Sequence, residues 1–280
     1  MSDADDLSVK PARALKWRGG VAHDQADRLA IEEPLEIRLG GRRFTLTMRT
    51  PGHDEELVAG FLLAEGFVQT RAELGELRRM RDRKGAPDPN AIDVILAVPA
   101  AGLRERLKRN FTVSSSCGVC GKTSIEALER RLAPIVDGAT ITAPAILRMP
   151  ALMREAQAVF SATGGLHAAA LFAIGDPAAP ALSVLREDVG RHNAVDKVIG
   201  HALLGDRVPL SGCAMMVSGR LSFEIVQKAA AAGIAILCAV SAPSSLAVEL
   251  AIEVGMTLAG FVREASFNVY SGAERVIAAG

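Results

Sequence analysis

The chain has 280 residues, 49% hydrophobic and 23% charged, enough to bury the core of one large domain or two modest ones. Lys+Arg and Asp+Glu both total 32, so the formal net charge is zero and no global field draws the protein to nucleic acid or to an anionic membrane. Four cysteines exclude a disulfide scaffold, and no apolar run approaches the ~20 residues of a membrane-spanning helix. Residues 1–10 are acidic and polar, unlike a signal peptide, so the expected compartment is the cytoplasm, where thiols stay reduced.

In chain order, residues 1–20 carry little periodicity and read as a loose tail. Residues 21–145 read as a small α+β domain. Leu35, Ile37 and Leu39 alternate with polar residues, Gly40-Gly41 supplies a turn, and Phe44, Leu46 and Met48 alternate again, which predicts a hairpin. Asp54 then suits the cap of a helix with Leu57, Val58, Phe61 and Leu62 on one face. The charged stretch 79–90, with two prolines, reads as a loop, and Ile92, Val94, Leu96 and Val98 as a further strand. A Pro-bearing stretch at 142–150 marks the boundary to a second domain, 146–280. There the rhythm changes to strands at 182–185, 213–217 and 234–240, with helices over 195–202, 223–232 and 246–254. Apolar strands that do not alternate imply a mainly parallel sheet covered on both faces, hence a three-layer αβα domain. His167 is expected to open an Ala-rich helix.

In such sheets ligands bind beyond the carboxyl ends of the strands. Three loops expected there are rich in small residues and cations: the segment from Arg186 to Asn193, which holds His192; Ser218-Gly219-Arg220-Leu221-Ser222; and Ser241-Ala242-Pro243-Ser244-Ser245. Helix-start N–H groups with arginine favour a phosphate-bearing ligand. One such loop would be an ordinary capped turn. Three at one edge tip the reading towards ligand binding.

Cys117-Gly118-Val119-Cys120 is the sharpest local feature. Two sulfurs at this spacing serve a metal, a disulfide or the exchange of a sulfur atom. Lys122 and a helix predicted from about Thr123 both favour a thiolate, and the flanking glycines and Ser114 to Ser116 suggest an exposed loop. Cys213 and Cys238 are single and lie in apolar strands, so no second pair completes a zinc knuckle. A thioredoxin-like oxidoreductase would carry its pair after a strand near the chain start. A zinc nucleobase deaminase needs His-x-Glu followed by Pro-Cys-x-x-Cys. His53-Asp54-Glu55 meets the first half formally, but Ser116 stands where the proline belongs.

Taken together, the motifs resemble the formate dehydrogenase accessory sulfurtransferase family. The matching segments include Met48-Arg49-Thr50-Pro51-Gly52, Cys117-Gly118-Val119-Cys120-Gly121, Thr163-Gly164-Gly165, Glu187-Asp188-Val189-Gly190-Arg191-His192-Asn193, Ser218-Gly219-Arg220 and Ala239-Val240-Ser241-Ala242-Pro243-Ser244. The resemblance covers nearly everything after about Glu32. It implies a protein that accepts sulfane sulfur from a cysteine desulfurase and passes it to a bis(molybdopterin guanine dinucleotide) molybdenum cofactor, so maturing formate dehydrogenase. By the same resemblance Cys117 holds the persulfide and Cys120 assists. Phe261, Val262, Arg263, Glu264, Ala265 and Ser266 match the cofactor-contacting stretch, and guanosine diphosphate serves as a fragment of the cofactor. The second half is expected to resemble the cytidine deaminase fold without its zinc site, and the protein to be a homodimer. The competing reading is a non-catalytic molybdenum-cofactor or guanine-nucleotide carrier in which the cysteine pair is structural.

Overall fold

The computed structural model describes residues 8–82, 84–97 and 132–278, so Cys117 and Cys120 lie outside the described residues. The chain opens on an antiparallel ribbon, β1 (Val9–Arg18) and β2 (Val21–Ala30), turned at Gly19 and Gly20, both at positive φ. The stretch expected as a loose tail is therefore strand from Val9 onward. Its sequence conceals this because almost every ribbon residue faces solvent and no apolar alternation is required.

β3 (Glu33–Leu39) and β4 (Arg42–Arg49) form the predicted hairpin, with Gly40 at φ 57° and Gly41 at φ 79°. Two positive φ values in succession are what a tight two-residue hairpin turn demands, and glycine takes them without strain. After α1 (Asp54–Ala64) and the single turn α2 (Arg71–Leu74) come β5 (Glu76–Arg81) and β6 (Pro87–Ile95). They complete a four-stranded sheet in the order β4-β3-β6-β5. The 79–90 stretch is thus mostly hairpin, not loop. Its arginines sit on the edge strand β5, where charge deters a further strand from pairing. Leu35, Ile37, Ile92 and Val94 from this sheet pack on Leu57, Val58 and Leu62 of α1.

Asp54 does not cap α1. His53 takes the cap position in the left-handed region, φ 56°, without a side-chain cap bond. The carboxylate of Asp54 is buried and accepts from Arg49 Nε at 2.9 Å and from Arg79 at 3.0 Å. These two guanidinium groups offset its burial and hold its pKa below the usual carboxylate value.

The second half begins with β7 (Ile141–Thr142), α3 (Ala143–Ala156), which carries the expected boundary stretch and Pro150 inside it, and α4 (Ala158–Thr163). Then come β8 (His167–Ala173), β9 (Ala181–Asp188), α5 (Arg191–Leu204), β10 (Cys213–Val217), α6 (Phe223–Ala231), β11 (Ile236–Ala239), α7 (Ser245–Glu253), β12 (Thr257–Gly260) and β13 (Asn268–Ser271). β14 (Val276–Ile277) closes against β7. The main sheet runs β13-β12-β11-β10-β8-β9. Only β10–β11 and β11–β12 are parallel, while the other three pairings are antiparallel. The sheet is therefore mixed rather than mainly parallel, and His167 opens a strand, not a helix. The cause is the segment His-Ala-Ala-Ala-Leu-Phe-Ala, whose alanines favour helix locally but fit the crowded middle of a sheet covered on both sides.

Strand parity divides the core in two. Ala169, Leu171, Met215, Val217, Leu237 and Leu258 face α5, α6 and α7. Ala168, Ala170, Phe172, Met216, Ile236 and Cys238 face α3. The expected three layers are present. The first cluster also contains the packed face of α1 and the small sheet, so the two halves share one core.

Their contact is unusually close. A Cβ on Gly60 would lie 1.9 Å from the Asp196 carbonyl oxygen, and one on Gly200 would lie 1.7 Å from that of Glu56. Helices α1 and α5 thus touch backbone to backbone, as only glycine permits. Around this crossing the charges are paired. Lys228 meets Asp196 at 2.7 and 2.8 Å, and Arg186 and His201 share Glu56. Among the described residues no helix is long and apolar enough to cross a membrane.

Candidate functional site

The pairings fix strand direction. β8 is antiparallel to both β9 and β10, so β9, β10, β11 and β12 all point the same way. Their carboxyl ends, with the amino end of β8, meet at one edge of the sheet, which is where an α/β sheet offers its loops to a ligand.

Backbone hydrogen bonds stitch these loops together. Leu221 N donates to Ala242 O at 3.1 Å and Ser244 N to Leu221 O at 2.9 Å. Phe261 N donates to Ser241 O at 3.2 Å, and Ser218 Oγ accepts from Ala168 N at 2.8 Å. Arg220, Ser241 and the 261–266 turn, singled out in sequence, are therefore neighbours in space. Within that turn the residues behave differently. Val262 is buried in the core below the sheet, so its side chain supports the turn from beneath. Arg263 donates to the Val240 carbonyl, and Arg263 N to Ser266 O at 2.9 Å, which closes the turn on itself. Glu264, Ala265 and Ser266 are exposed. Phe261 holds a left-handed φ of 53° and is 41% exposed, a placement that costs backbone strain and hydrophobic burial together.

The start of α5 adds positive potential. Gly190 is its cap residue, with no side-chain cap bond. Arg191 follows, and its Nε is buried without a hydrogen-bond partner. Gly219 lets this side chain in: a Cβ there would sit 3.3 Å from Arg191 Cδ and 3.5 Å from His167 Nδ1. Burial, and then the charge of Arg191, lower the pKa of His167, so a neutral imidazole stands beside an arginine. In sequence, Arg191 falls within the Arg186–Asn193 candidate loop, but His192 stands out there as the site residue. An arginine directly after a helix-opening glycine was the signal that could have found it.

His192 turns towards the second loop of this edge and the start of α6. Its Nε2 lies 3.0 Å from Glu224 Oε2 and 3.3 Å from Ser222 Oγ, so it ties α5 to the start of α6. Burial, followed by the charges of Lys228 and Arg191, pushes its pKa down to about 3. The sign of the consequence is clear. Unfolded His192 takes a proton near pH 6.5 and the folded residue only near 3, so its contribution to stability is complete above pH 6.5 and is lost as the pH falls. His192→Gln keeps a donor for Glu224 but cannot titrate. Urea denaturation between pH 6.5 and 5 should show a shallower loss of stability in the variant, by up to ~1.4 kcal/mol per pH unit. Equal slopes would mean that His192 is not buried neutral.

Behind the edge a buried network sets the geometry. Asp188 is fully buried and accepts from Lys197 Nζ at 2.7 Å, Gly190 N at 2.8 Å, Asn193 Nδ2 at 2.9 Å and Thr50 N at 3.1 Å. Its cation is Lys197. The Thr50-Pro51-Gly52 turn lines a pocket of about 170 Å³ together with Arg186, Glu187 and Lys197. Neither Cys213 nor Cys238 reaches the edge. Burial raises both thiols, that of Cys238 to about 12. Among the described residues no three His, Cys, Asp or Glu side chains converge to hold a metal ion.

The fold is that of a mixed α/β protein whose co-directional strands deliver cationic, small-residue loops to one edge of its main sheet. The chain matches the FdhD/NarQ family model over residues 30–277, and it belongs to that family. It is 51% identical to a protein named sulfur carrier protein FdhD from Mycolicibacterium paratuberculosis, over 94% of this chain and 97% of that one. The same name is carried by a relative in Mycobacterium tuberculosis, 51% identical over 89% of this chain and 92% of the other. A third, from Streptomyces coelicolor, is 47% identical over 94% of both. The fold is also similar to a crystal structure assigned as a formate dehydrogenase accessory protein from Desulfotalea psychrophila. That similarity has a TM-score of 0.74 and 28% identity, and covers 96% of this chain and 100% of that one.

Proposed function

We propose that this protein carries sulfur for formate dehydrogenase maturation, taking it from a cysteine desulfurase as a persulfide on Cys117 and passing it to the molybdenum of a bis(guanine dinucleotide) cofactor. The observation that carries the reading concerns thiols. Of the chain's four cysteines, Cys213 and Cys238 are strand residues whose thiols burial holds protonated, which leaves Cys117 and Cys120 for sulfur chemistry. The relatives' name, sulfur carrier protein, supports the same assignment.

In the first step the Cys117 thiolate attacks the outer sulfur of the desulfurase persulfide. A new S–S bond forms on Cys117 and the desulfurase cysteine leaves as thiolate, so the transfer is a neutral exchange without an external oxidant. The cofactor, as substrate, lies along the sheet edge with its phosphates towards Arg191, the start of α5 and Arg220. Its guanine ends meet the 261–266 turn. A second half built like cytidine deaminase, cytoplasmic work and a cofactor held by its nucleotide ends belong to the same reading.

Guanosine diphosphate is the fragment that tests the edge. It should bind more tightly than adenosine diphosphate in calorimetry, and Arg220→Ala should weaken it by more than tenfold, about 1.5–3 kcal/mol for one charged contact. Equal affinity for the two nucleotides would overturn the cofactor assignment.

A further inference from the structure

The helix crossing that joins the two halves holds a cluster of buried charge that the sulfur chemistry does not use. Asp196 is 2% exposed and Lys228 7%, and the ammonium meets both carboxylate oxygens, at 2.7 and 2.8 Å. The ring of Phe61 covers the same ammonium from the α1 side, its centroid 5.6 Å away. Asp196 stands where α1 and α5 touch backbone to backbone, which leaves no room for water between them.

Further carboxylates crowd this pair. Glu65, just beyond the end of α1, and Glu224, in the first turn of α6, both act through their charge on Asp196 and on Lys228. Glu224 in turn meets His192 Nε2 at 3.0 Å, and the charges of Arg191 and His167 bear on that imidazole from the rim. Three carboxylates thus face one ammonium in a medium that penalises charge, an arrangement that favours taking up a proton. The carboxyl of Asp196 is the group that takes it. Burial, working against the Lys228 bond, raises its pKa to about 6. At Lys228 the carboxylates outweigh burial and keep the ammonium charged.

We propose that Asp196, Lys228, Glu224 and His192 form a proton switch between the helix crossing and the rim, in which protonation of Asp196 strengthens phosphate binding. The proton comes from solvent, and the cluster gains one positive charge. Once Asp196 is neutral, the Lys228 ammonium bears more fully on Glu224. The hold of Glu224 on His192 weakens, and the positive potential rises at the start of α5 and along the Ser218–Ser222 loop. An anion bound there in turn raises the pKa of Asp196, because linkage is reciprocal. The coupling rests on the reading of the rim as a phosphate site, whereas the proton uptake does not.

Two measurements on the full chain separate the parts. Infrared difference spectra between about pH 7.5 and 5 should show a buried carboxylic-acid band that grows in near pH 6 in the wild type and is missing in Asp196→Asn. Asparagine has the shape and neutrality of the protonated acid, so this variant keeps the switch in its low-pH state. In calorimetry it should bind guanosine diphosphate roughly threefold more tightly than the wild type at about pH 7.5, the order expected for one charge gained within about a Debye length. At about pH 5 the two proteins should bind equally. Comparing them at each pH cancels the titration of the nucleotide's own phosphate. A wild type without the acid band overturns the proposal, as does an affinity ratio that is the same at both pH values. A titrating band with no nucleotide bound by either protein upholds the proton site and overturns the phosphate reading of the rim instead. Should Asp196→Asn fail to fold, the wild type alone decides: saturating guanosine diphosphate should move the midpoint of its acid band to higher pH, and an unmoved midpoint overturns the coupling.

Discussion

Replacing Lys197 by methionine is expected to lower the stability of the protein by about 3–5 kcal/mol, the range for removing one partner of a buried ion pair. The lysine is 1% exposed, and its Nζ serves Asp188 at 2.7 Å, the Thr50 carbonyl at 2.9 Å and the Glu187 carbonyl at 3.3 Å. Without it the fully buried Asp188 carboxylate keeps three N–H donors but has no counter-charge, and two carbonyls lose their donor. The loss should reach the candidate site, because Asp188 also holds Gly190 and Asn193 at the start of α5. Urea unfolding measures the first effect and nucleotide calorimetry the second. Adding Asp188→Asn to Lys197→Met should recover part of the stability, since the stranded charge is then gone. A double variant no more stable than the single would show that hydrogen bonding, not charge, dominates the site.

Gly200→Ala should be nearly as damaging, for a reason that has nothing to do with charge. The added methyl would overlap the Glu56 carbonyl oxygen at 1.7 Å, and the obstacle is backbone on a helix, which cannot rotate away. Helices α1 and α5 would have to separate, opening the core that joins the two halves. Overpacking ordinarily costs 1–3 kcal/mol, and a backbone collision belongs at or above the upper end, about 3 kcal/mol or more. Thermal unfolding with a hydrophobic dye would register the looser interface. A variant as stable as wild type would mean that the helices are not in backbone contact.

Much of the architecture is written locally in the sequence. The Gly40-Gly41 hairpin, β10 and helices α6 and α7 follow from alternation, apolar runs and capping residues, because in each the local preference and the tertiary need coincide. The misreadings arise where the two conflict. β8 is Ala-rich because a central strand packed on both faces has room only for small side chains, and that composition imitates a helix. β5 looks like loop because an edge strand is protected by arginines rather than by hydrophobic residues. β1 looks like tail because its contacts within the chain are few.

The site was legible in its loops and less so in its side chains. Small residues with cations after strands are a pattern that sequence displays, and Arg220, Ser241 and Phe261 do come together. Which way a side chain turns is set by long-range partners. Glu224, thirty-two residues downstream, holds His192 at the start of α6, and Gly219 admits the side chain of Arg191.

The central claim is that Cys117 carries the sulfur. Its most direct test is intact-mass spectrometry of the wild-type, Cys117→Ala and Cys120→Ala proteins after incubation with a cysteine desulfurase and cysteine. The wild type and Cys120→Ala should each gain one sulfur atom, lost on treatment with a thiol reductant, and Cys117→Ala should gain none while still binding guanosine diphosphate. Nucleotide binding with no sulfur gained by any of the three proteins would favour a non-catalytic carrier. Sulfur gained by Cys117→Ala to the wild-type extent would contradict the assignment outright.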